Sequence, residues 1–548
     1  MSRIAAHSLN RRLARLLFLT GLGLFLAGCA FPLRSRPVPT MAPAVTDQAK
    51  ATSAEQVPPT QSLPTQPTPT YVPADPADTA EQSAVLLPQA VPDLDLLSAA
   101  TRYTIDLQID YAAKSFEGQA QVDFTNTEDV PLDRLYFRLL PNGHKSYGDG
   151  SLRVSSVSID GQPVKPRLSL SDTVLELPLV APLEIGDSLR IDLEFAGTVP
   201  VEFGGEDESG GYGIYNYSQG VLALSGWYPI LAVYDQDGWN LDPVSVIGDS
   251  VYSDTSFYTV DITTDPELLM AATGEEIGQE KLVGEIRRHY VSGPVRDFFM
   301  IISPDFQVVS QEVDGVEVRS YYLPEHPQGG EAALEVTAQS LQIYNQYFGE
   351  YPFAEIDVVE APMRYALGVE YPGIFLVASD LYADPAQDDF LVATAHEVAH
   401  QWWYSVVGND VFDEPWLDES MATYSSSLYY QDAISPVAYR AFTSYWKNRL
   451  SDLRQDSLDD QVTQSLGYFE ALDTPRVYGT VVYTKGALFF DALRDEIGDE
   501  AFFSALQNYY QKYKYQIAET EDLLAEFEAS ANRQLDDLFQ EWLFTAEG

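Results

Sequence analysis

Between about residues 99 and 307, apolar and polar positions alternate in short runs: RYTIDLQIDY, GQAQVDFTN, LYFRLL, VSSVSIDG, SLRIDLEF, SFYTVDITT and DFFMIISP. Successive side chains on a strand project to opposite faces, so each run predicts a half-buried strand, and the Gly, Pro, Asn and Asp between runs predict turns. The region 99–307 therefore reads as a large antiparallel β module. It contains no cluster of catalytic residue types. Its aromatic stretch LSGWYPILAVYDQDGWN, residues 224–240, reads as core and interface packing.

The period then changes. VEVRSYYLP predicts one more strand, and GEAALEVTAQSLQIYNQYFGEYPF places apolar residues at helical spacing until Gly349 and Pro352 stop it. KGALFFDALRDEIG and ETEDLLAEFEASANRQLDDLFQEWL continue the helical texture toward the C-terminus. Residues 308–548 thus form a mixed module whose second half is helical, and the fold class is multidomain, β plus α/β. No internal repeat is visible.

The N-terminus carries a different signal. Arg3, Arg11, Arg12 and Arg15 precede the apolar run LLFLTGLGLFLAG, too short for a comfortable spanning helix, and it ends at LAGC. That ending resembles a bacterial lipobox, and Cys29 is the only cysteine in the chain. The expectation is a signal peptide over 1–28 and a lipid on Cys29, placing an exported protein on the extracytoplasmic face of a bacterial envelope membrane. Residues 29–98, crowded with Pro, Thr, Ala, Gln and Ser, read as a disordered tether that holds the folded part roughly 40–50 Å from its lipid.

Charge removes some partners. The chain has 548 residues, 45% of them hydrophobic, and a formal charge of −50. The apolar content is enough for two or more cored domains, and the charge repels nucleic acid.

The chemistry lies in LVATAHEVAHQWWYSVVGNDVFDEPWLDES, residues 391–420. Residues four apart on a helix share a face, so His396 and His400 can offer two imidazoles to one ion while Val392, Ala395, Ala399 and Trp403 can pack. A second helix is expected to open at Pro415 and to carry Glu419 after eighteen intervening residues. Two histidines and a glutamate are a standard ligand set for catalytic zinc, one ion per chain. Glu397 points about 100° away from His396 around the helix and suits a general base rather than a ligand.

These residues resemble the gluzincin aminopeptidases, typified by aminopeptidase N and leukotriene hydrolase, whose third ligand lies in a W-L-N/D-E segment matched by Trp416, Leu417, Asp418 and Glu419. The family's G-x-M-E-N motif corresponds to Leu367, Gly368, Val369, Glu370 and Tyr371, with only the glutamate strictly kept. Its Y-x-K-G-A segment corresponds to Tyr483, Lys485, Gly486 and Ala487, and Tyr478 matches a further tyrosine. The resemblance implies an N-terminal β saddle followed by a thermolysin-like catalytic domain. It also implies Glu370 on the substrate α-amine, Tyr483 on the oxyanion, and Gly368 and Tyr478 lining the substrate site. The expected activity is removal of N-terminal residues from peptides with a free N-terminus. A zinc endopeptidase of the same fold would keep the zinc residues without needing Glu370, and a non-catalytic surface binding protein would be expected to have lost some of them.

Overall fold

The computed structural model describes residues 79–202, 213–249 and 251–546, and the leader, Cys29 and most of the proline-rich stretch lie outside the described residues. Among the described residues no helix is long and apolar enough to cross a membrane.

The alternating runs form strands. An eight-stranded sheet is built in the order 275–281, 286–291, 256–264, 101–110, 115–125, 188–198, 151–159, 162–163. Thr101–Asp110 shows the expected alternation, with Tyr103, Ile105, Leu107 and Ile109 buried and Thr104, Asp106 and Asp110 exposed. One pairing departs from the antiparallel expectation: Thr101–Asp110 runs parallel to Ser256–Thr264. Parallel neighbours need a long crossover, and two four-stranded sheets draw strands from this intervening chain. Trp227 and Tyr228 of the aromatic stretch are fully buried; the Trp227 indole donates to the Phe298 carbonyl at 2.8 Å and Tyr228 to the Tyr258 hydroxyl at 2.9 Å.

Strand pairing changes partners between Ser303 and Gln307. From there a five-stranded mixed sheet runs 307–313, 316–322, 355–361, 374–378, 368–371, with the middle three strands parallel and Gly368–Tyr371 antiparallel at the edge. The predicted helix spans Pro327–Phe348 and ends at Gly349, whose φ of 127° admits few other residues. The remaining chain is helical. The C-terminal helical run is broken where Asn532 adopts a left-handed conformation, giving Thr520–Ala531 and Asp536–Trp542.

The last part of the expected tether, residues 79–98, departs from the expectation of disorder. Residues 79–98 are structured, with a helix at Ala80–Ala84 and a 3₁₀ turn at Val91–Leu97. Val85, Leu86, Leu87 and Leu94 are buried, and the backbone pairs with the sheet region through Leu87 N–H to the Pro352 carbonyl at 2.9 Å and Ala354 N–H to the Val85 carbonyl at 3.1 Å. The AVLLPQAVPDLDLL stretch carries enough aliphatic surface to offset its ordering cost, which the proline-rich texture before it conceals.

Candidate active site

His396 sits in the last turn of the helix Asp388–Ala399, and His400 follows with helical φ/ψ, so the two share one face. Asp388 and Asp389 in the first turn complement the positive helix N-terminus. Phe390, Ala393, Ala395, Val398 and Ala399 are buried, and Tyr344 donates to the Ala395 carbonyl at 2.9 Å. Val392, expected to pack, instead lines the cleft. The helix Trp416–Tyr429 begins after Pro415 and places Glu419 in its first turn.

These two helices bring the three expected ligands together. His396 Nε2 lies 3.1 Å from His400 Nε2 and 3.1 Å from Glu419 Oε2, and His400 Nε2 lies 3.6 Å from the same oxygen. A tetrahedral ion with ligand bonds of about 2.1 Å has donor atoms roughly 3.4 Å apart, so this triangle fits one. The Trp403 carbonyl, 3.0 Å from His400 Nδ1, accepts a hydrogen bond that fixes the tautomer and leaves Nε2 with its lone pair toward the triangle. Burial lowers the His396 pKa. Burial would lower that of His400 as well, but the Glu370 and Glu419 carboxylates outweigh it and raise it, while the two imidazoles hold Glu419 down at about 2.

Glu397 projects to the adjacent position and is buried, with Oε2 unpartnered among the described residues. Glu370 and Glu397 each bring a carboxylate oxygen within 4.8 Å of a His400 nitrogen and of each other. Burial, then the neighbouring Glu370, raises the Glu397 pKa; burial, with Glu419 adding to it, pushes Glu370 up to about 6. Gly368 lies directly against Glu397: a Cβ at position 368 would be 2.2 Å from Oε1 and 2.5 Å from Cγ. Its part in the cleft is thus to leave room for the carboxylate.

Tyr483 reaches the same point from a π-helical segment, Gly479–Lys485, between the helices Pro475–Tyr478 and Gly486–Ile497. An inserted residue in a helix rotates the following side chains, a device frequent at functional sites. The Tyr483 hydroxyl donates to Glu419 Oε1, and its ring lies 6.0 Å from that of His396. Tyr478 is buried with its ring 5.5 Å from that of Tyr483, and both line the cleft. Lys485, fully buried, anchors the segment through Asp459 Oδ1 at 3.0 Å and the Asp460 and Thr545 carbonyls at 2.7 and 2.8 Å.

Gly368, Glu370, His396, Glu397, Glu419, Tyr478 and Tyr483 line one cleft of about 1150 Å³, open solvent at its mouth included. Sequence reasoning missed its far wall, formed by Phe442, Trp446 and Arg449 of the helix Pro436–Gln455. Their i, i+4, i+7 spacing was the available signal. It also missed Ile214, Gly248 and Asp249, which reach the cleft from the β-rich part. Arg296 lies behind the site, fully buried, donating to the carbonyls of Tyr404 at 2.7 Å, Ser253 at 3.1 Å and Gln516 at 2.5 Å.

Residues 332–542 match the pattern of the Peptidase family M1 domain, and this match contains both histidines, Glu397, Glu419, Glu370 and Tyr483. This stretch is similar to the Peptidase family M1 domain. Its relatives include Aminopeptidase M1-D of Oryza sativa subsp. japonica, 26% identical over 464 residues, covering 82% of this chain and 50% of that protein. Aminopeptidase M1 of Arabidopsis thaliana is 26% identical over 470 residues, again covering 82% and 50%. The chain spans about half the length of these relatives. The crystal structure of an M1 zinc metallopeptidase from Deinococcus radiodurans superposes with a TM-score of 0.63 at 22% identity, covering 81% of this chain and 93% of that one. That likeness shows the shared fold: β sheets ahead of an M1 domain with a helical C-terminal half.

Proposed function

We propose that this chain is a zinc-dependent aminopeptidase that hydrolyses the first peptide bond of substrates with a free N-terminus. The observation that carries the reading is Glu370, a buried carboxylate on the sheet edge that shares the cleft with the zinc-compatible His396, His400, Glu419 triangle and with Glu397. The relatives are aminopeptidases by name, and a Deinococcus radiodurans M1 zinc metallopeptidase variant was crystallised with Tyr-Ser-Ala.

Zinc held by the three ligands would polarise the scissile carbonyl and acidify a water. Glu397 Oε2 accepts the proton of the attacking water and returns it to the leaving amine. The Tyr483 hydroxyl, close enough to reach Glu419, turns from that acceptor to the oxygen that gains charge in the transition state. Glu370 pairs with the α-ammonium and fixes the first residue across the catalytic groups; Gly368 and Tyr478 border the same space. An internal peptide bond has no ammonium to offer.

Aminoacyl p-nitroanilides compared with their N-acetyl forms test the reading. Wild type is expected to cleave the free amines and to cleave the blocked forms poorly. Glu370→Gln is expected to lose on the order of 10²-fold in kcat/KM on the free amines, the effect of removing one charged hydrogen-bond partner. Equal cleavage of both forms by wild type, or full activity in the variant, would replace this reading with an endopeptidase.

We also propose that Cys29 carries a lipid that anchors the protein to a membrane, on the strength of the arginine-rich start, the apolar run and LAGC. Cys29→Ser is expected to abolish metabolic labelling by a palmitate analogue. Unchanged labelling would exclude this acceptor.

A further inference from the structure

Gln401 follows His400 directly, just past the end of the histidine helix, where its N–H donates to the Val398 carbonyl at 3.1 Å. Its side chain is fully buried. Both ends of the amide are spent on one short stretch of backbone: Nε2 donates to the Tyr371 carbonyl at 2.9 Å, and Oε1 accepts from the Gly373 N–H at 2.8 Å. Tyr371 is the neighbour of Glu370. The path from one corner of the ligand triangle to Glu370 is therefore two steps along the backbone and one side-chain amide.

Other contacts of this stretch face elsewhere. Gly368–Tyr371 is a four-residue strand at the edge of its sheet, paired with Ile374–Ala378. The Gly373 carbonyl accepts from the Asp357 N–H at 2.9 Å, and the Tyr371 ring stacks on Phe299 with centroids 3.9 Å apart. These contacts tie the strand to its own sheet and to the β-rich part. The strand also packs on the histidine helix, but apolar packing is non-directional, whereas a planar amide with donor and acceptor both engaged fixes distance and direction.

Resting on the aminopeptidase reading above, we propose that Gln401 is a positioning residue that locks the Glu370 strand to the histidine helix and so sets the span between the ammonium anchor and the zinc ligands. The α-amine and the scissile carbonyl of a substrate's first residue are joined through one carbon, so the substrate cannot adjust the distance between its two contacts. The protein must hold that distance. Glu370 already has a carboxylate oxygen within 4.8 Å of a His400 nitrogen. A charged hydrogen bond is directional and weakens steeply outside its narrow range of distance and angle, so loosening the strand penalises ligands with a free amine and spares those without one. Glutamate at 401 would have no donor for the Tyr371 carbonyl, and asparagine would be one methylene short.

The test uses the full protein loaded with zinc and two competitive inhibitors that share one metal-binding group: leucine hydroxamate, and 4-methylpentanohydroxamate, which lacks the α-amine. An inhibition constant does not depend on how much of a sample is folded, so partial unfolding alone leaves it unchanged. Wild type is expected to bind leucine hydroxamate about tenfold or more tighter than the amine-free compound, the size of effect typical of a charged hydrogen bond. Gln401→Met removes both hydrogen bonds at similar volume. It is expected to take away most of that preference by weakening leucine hydroxamate, with the amine-free constant and the zinc content unchanged. In a Glu370→Gln background the same substitution is expected to change neither constant, because the anchor it positions is already gone. Should Gln401→Met fail to accumulate, Gln401→Asn is read in the same way. If wild type does not hydrolyse leucine p-nitroanilide, or binds both hydroxamates alike, the aminopeptidase reading falls and this proposal with it. If wild type distinguishes them while the Gln401 variant keeps the wild-type preference, weakens both compounds equally, or acts as strongly in the Glu370→Gln background, the Gln401 proposal alone is overturned.

Discussion

Glu397→Gln is expected to lower kcat by about 10²-fold or more while leaving the fold and the zinc content unchanged. Glutamine keeps the shape of the side chain and its buried position but cannot take a proton. The residue is not one of the three ligands of the His396, His400, Glu419 triangle, so the metal has no reason to leave. Its unpartnered Oε2 is the oxygen available to a water, and burial together with Glu370 makes that carboxylate more basic than an exposed one. Gly368→Ala is the steric counterpart. The added methyl would meet Glu397 Oε1 at 2.2 Å, far inside contact distance, so the carboxylate must move although its chemistry is intact. A misplaced base costs rate as a missing one does, and kcat is expected to fall by about tenfold or more in this variant too. Steady-state kinetics on leucine p-nitroanilide with elemental analysis of the same samples check both. Wild-type kcat in Glu397→Gln would remove it from the mechanism.

Replacing the ligands is expected to have a larger effect still. Wild type is expected to hold about one zinc per chain, and His396→Ala, His400→Ala and Glu419→Ala each to lose most of it, with activity falling by about 10³-fold or more. The three differ in what they leave behind. His400 is fully buried and faces Glu419, so its removal leaves a carboxylate short of a partner in a dry site, and the melting temperature should drop as well. Glu419→Ala takes away the acceptor of the Tyr483 hydroxyl and a neighbour of both imidazoles. Glu419→Gln preserves the volume and separates metal loss from loss of fold. Undiminished zinc in all three alanine variants would sink the metal assignment.

Much of this site was legible because its key residues lie in local patterns. HExxH is a statement about one helix face, and the fixed spacing to Glu419 tells which later helix completes the set. Strand periodicity likewise exposed the β module, since one face of each strand is buried. What escaped depends on contacts distant in sequence. The Arg449 wall comes from a helix with an ordinary amphipathic pattern, and nothing local says which face looks into a cleft. The π-helical segment that aims Tyr483 has no periodic signature, and Gly368 matters only through its closeness to Glu397, some thirty residues away. The ordered stretch 79–98 was hidden for a related reason: its aliphatic residues gain their value from Pro352 and Phe353, more than 250 positions on.

Arg296 gives these long-range contacts a practical meaning. It stands outside the 332–542 match, yet its guanidinium ties together carbonyls at Ser253, Tyr404 and Gln516, one before that match and two within it. Tyr404 follows His400 by four residues, and Trp403 beside it supplies the carbonyl that orients the His400 ring. A fragment cut at the limits of the family match would lose Arg296 and expose three carbonyl groups that it now satisfies, those of Tyr404, Val406 and Gln516, next to the segment that holds a zinc ligand. The residues that match the family pattern and the residues that satisfy the backbone around the zinc-ligand segment are therefore different lengths of polypeptide.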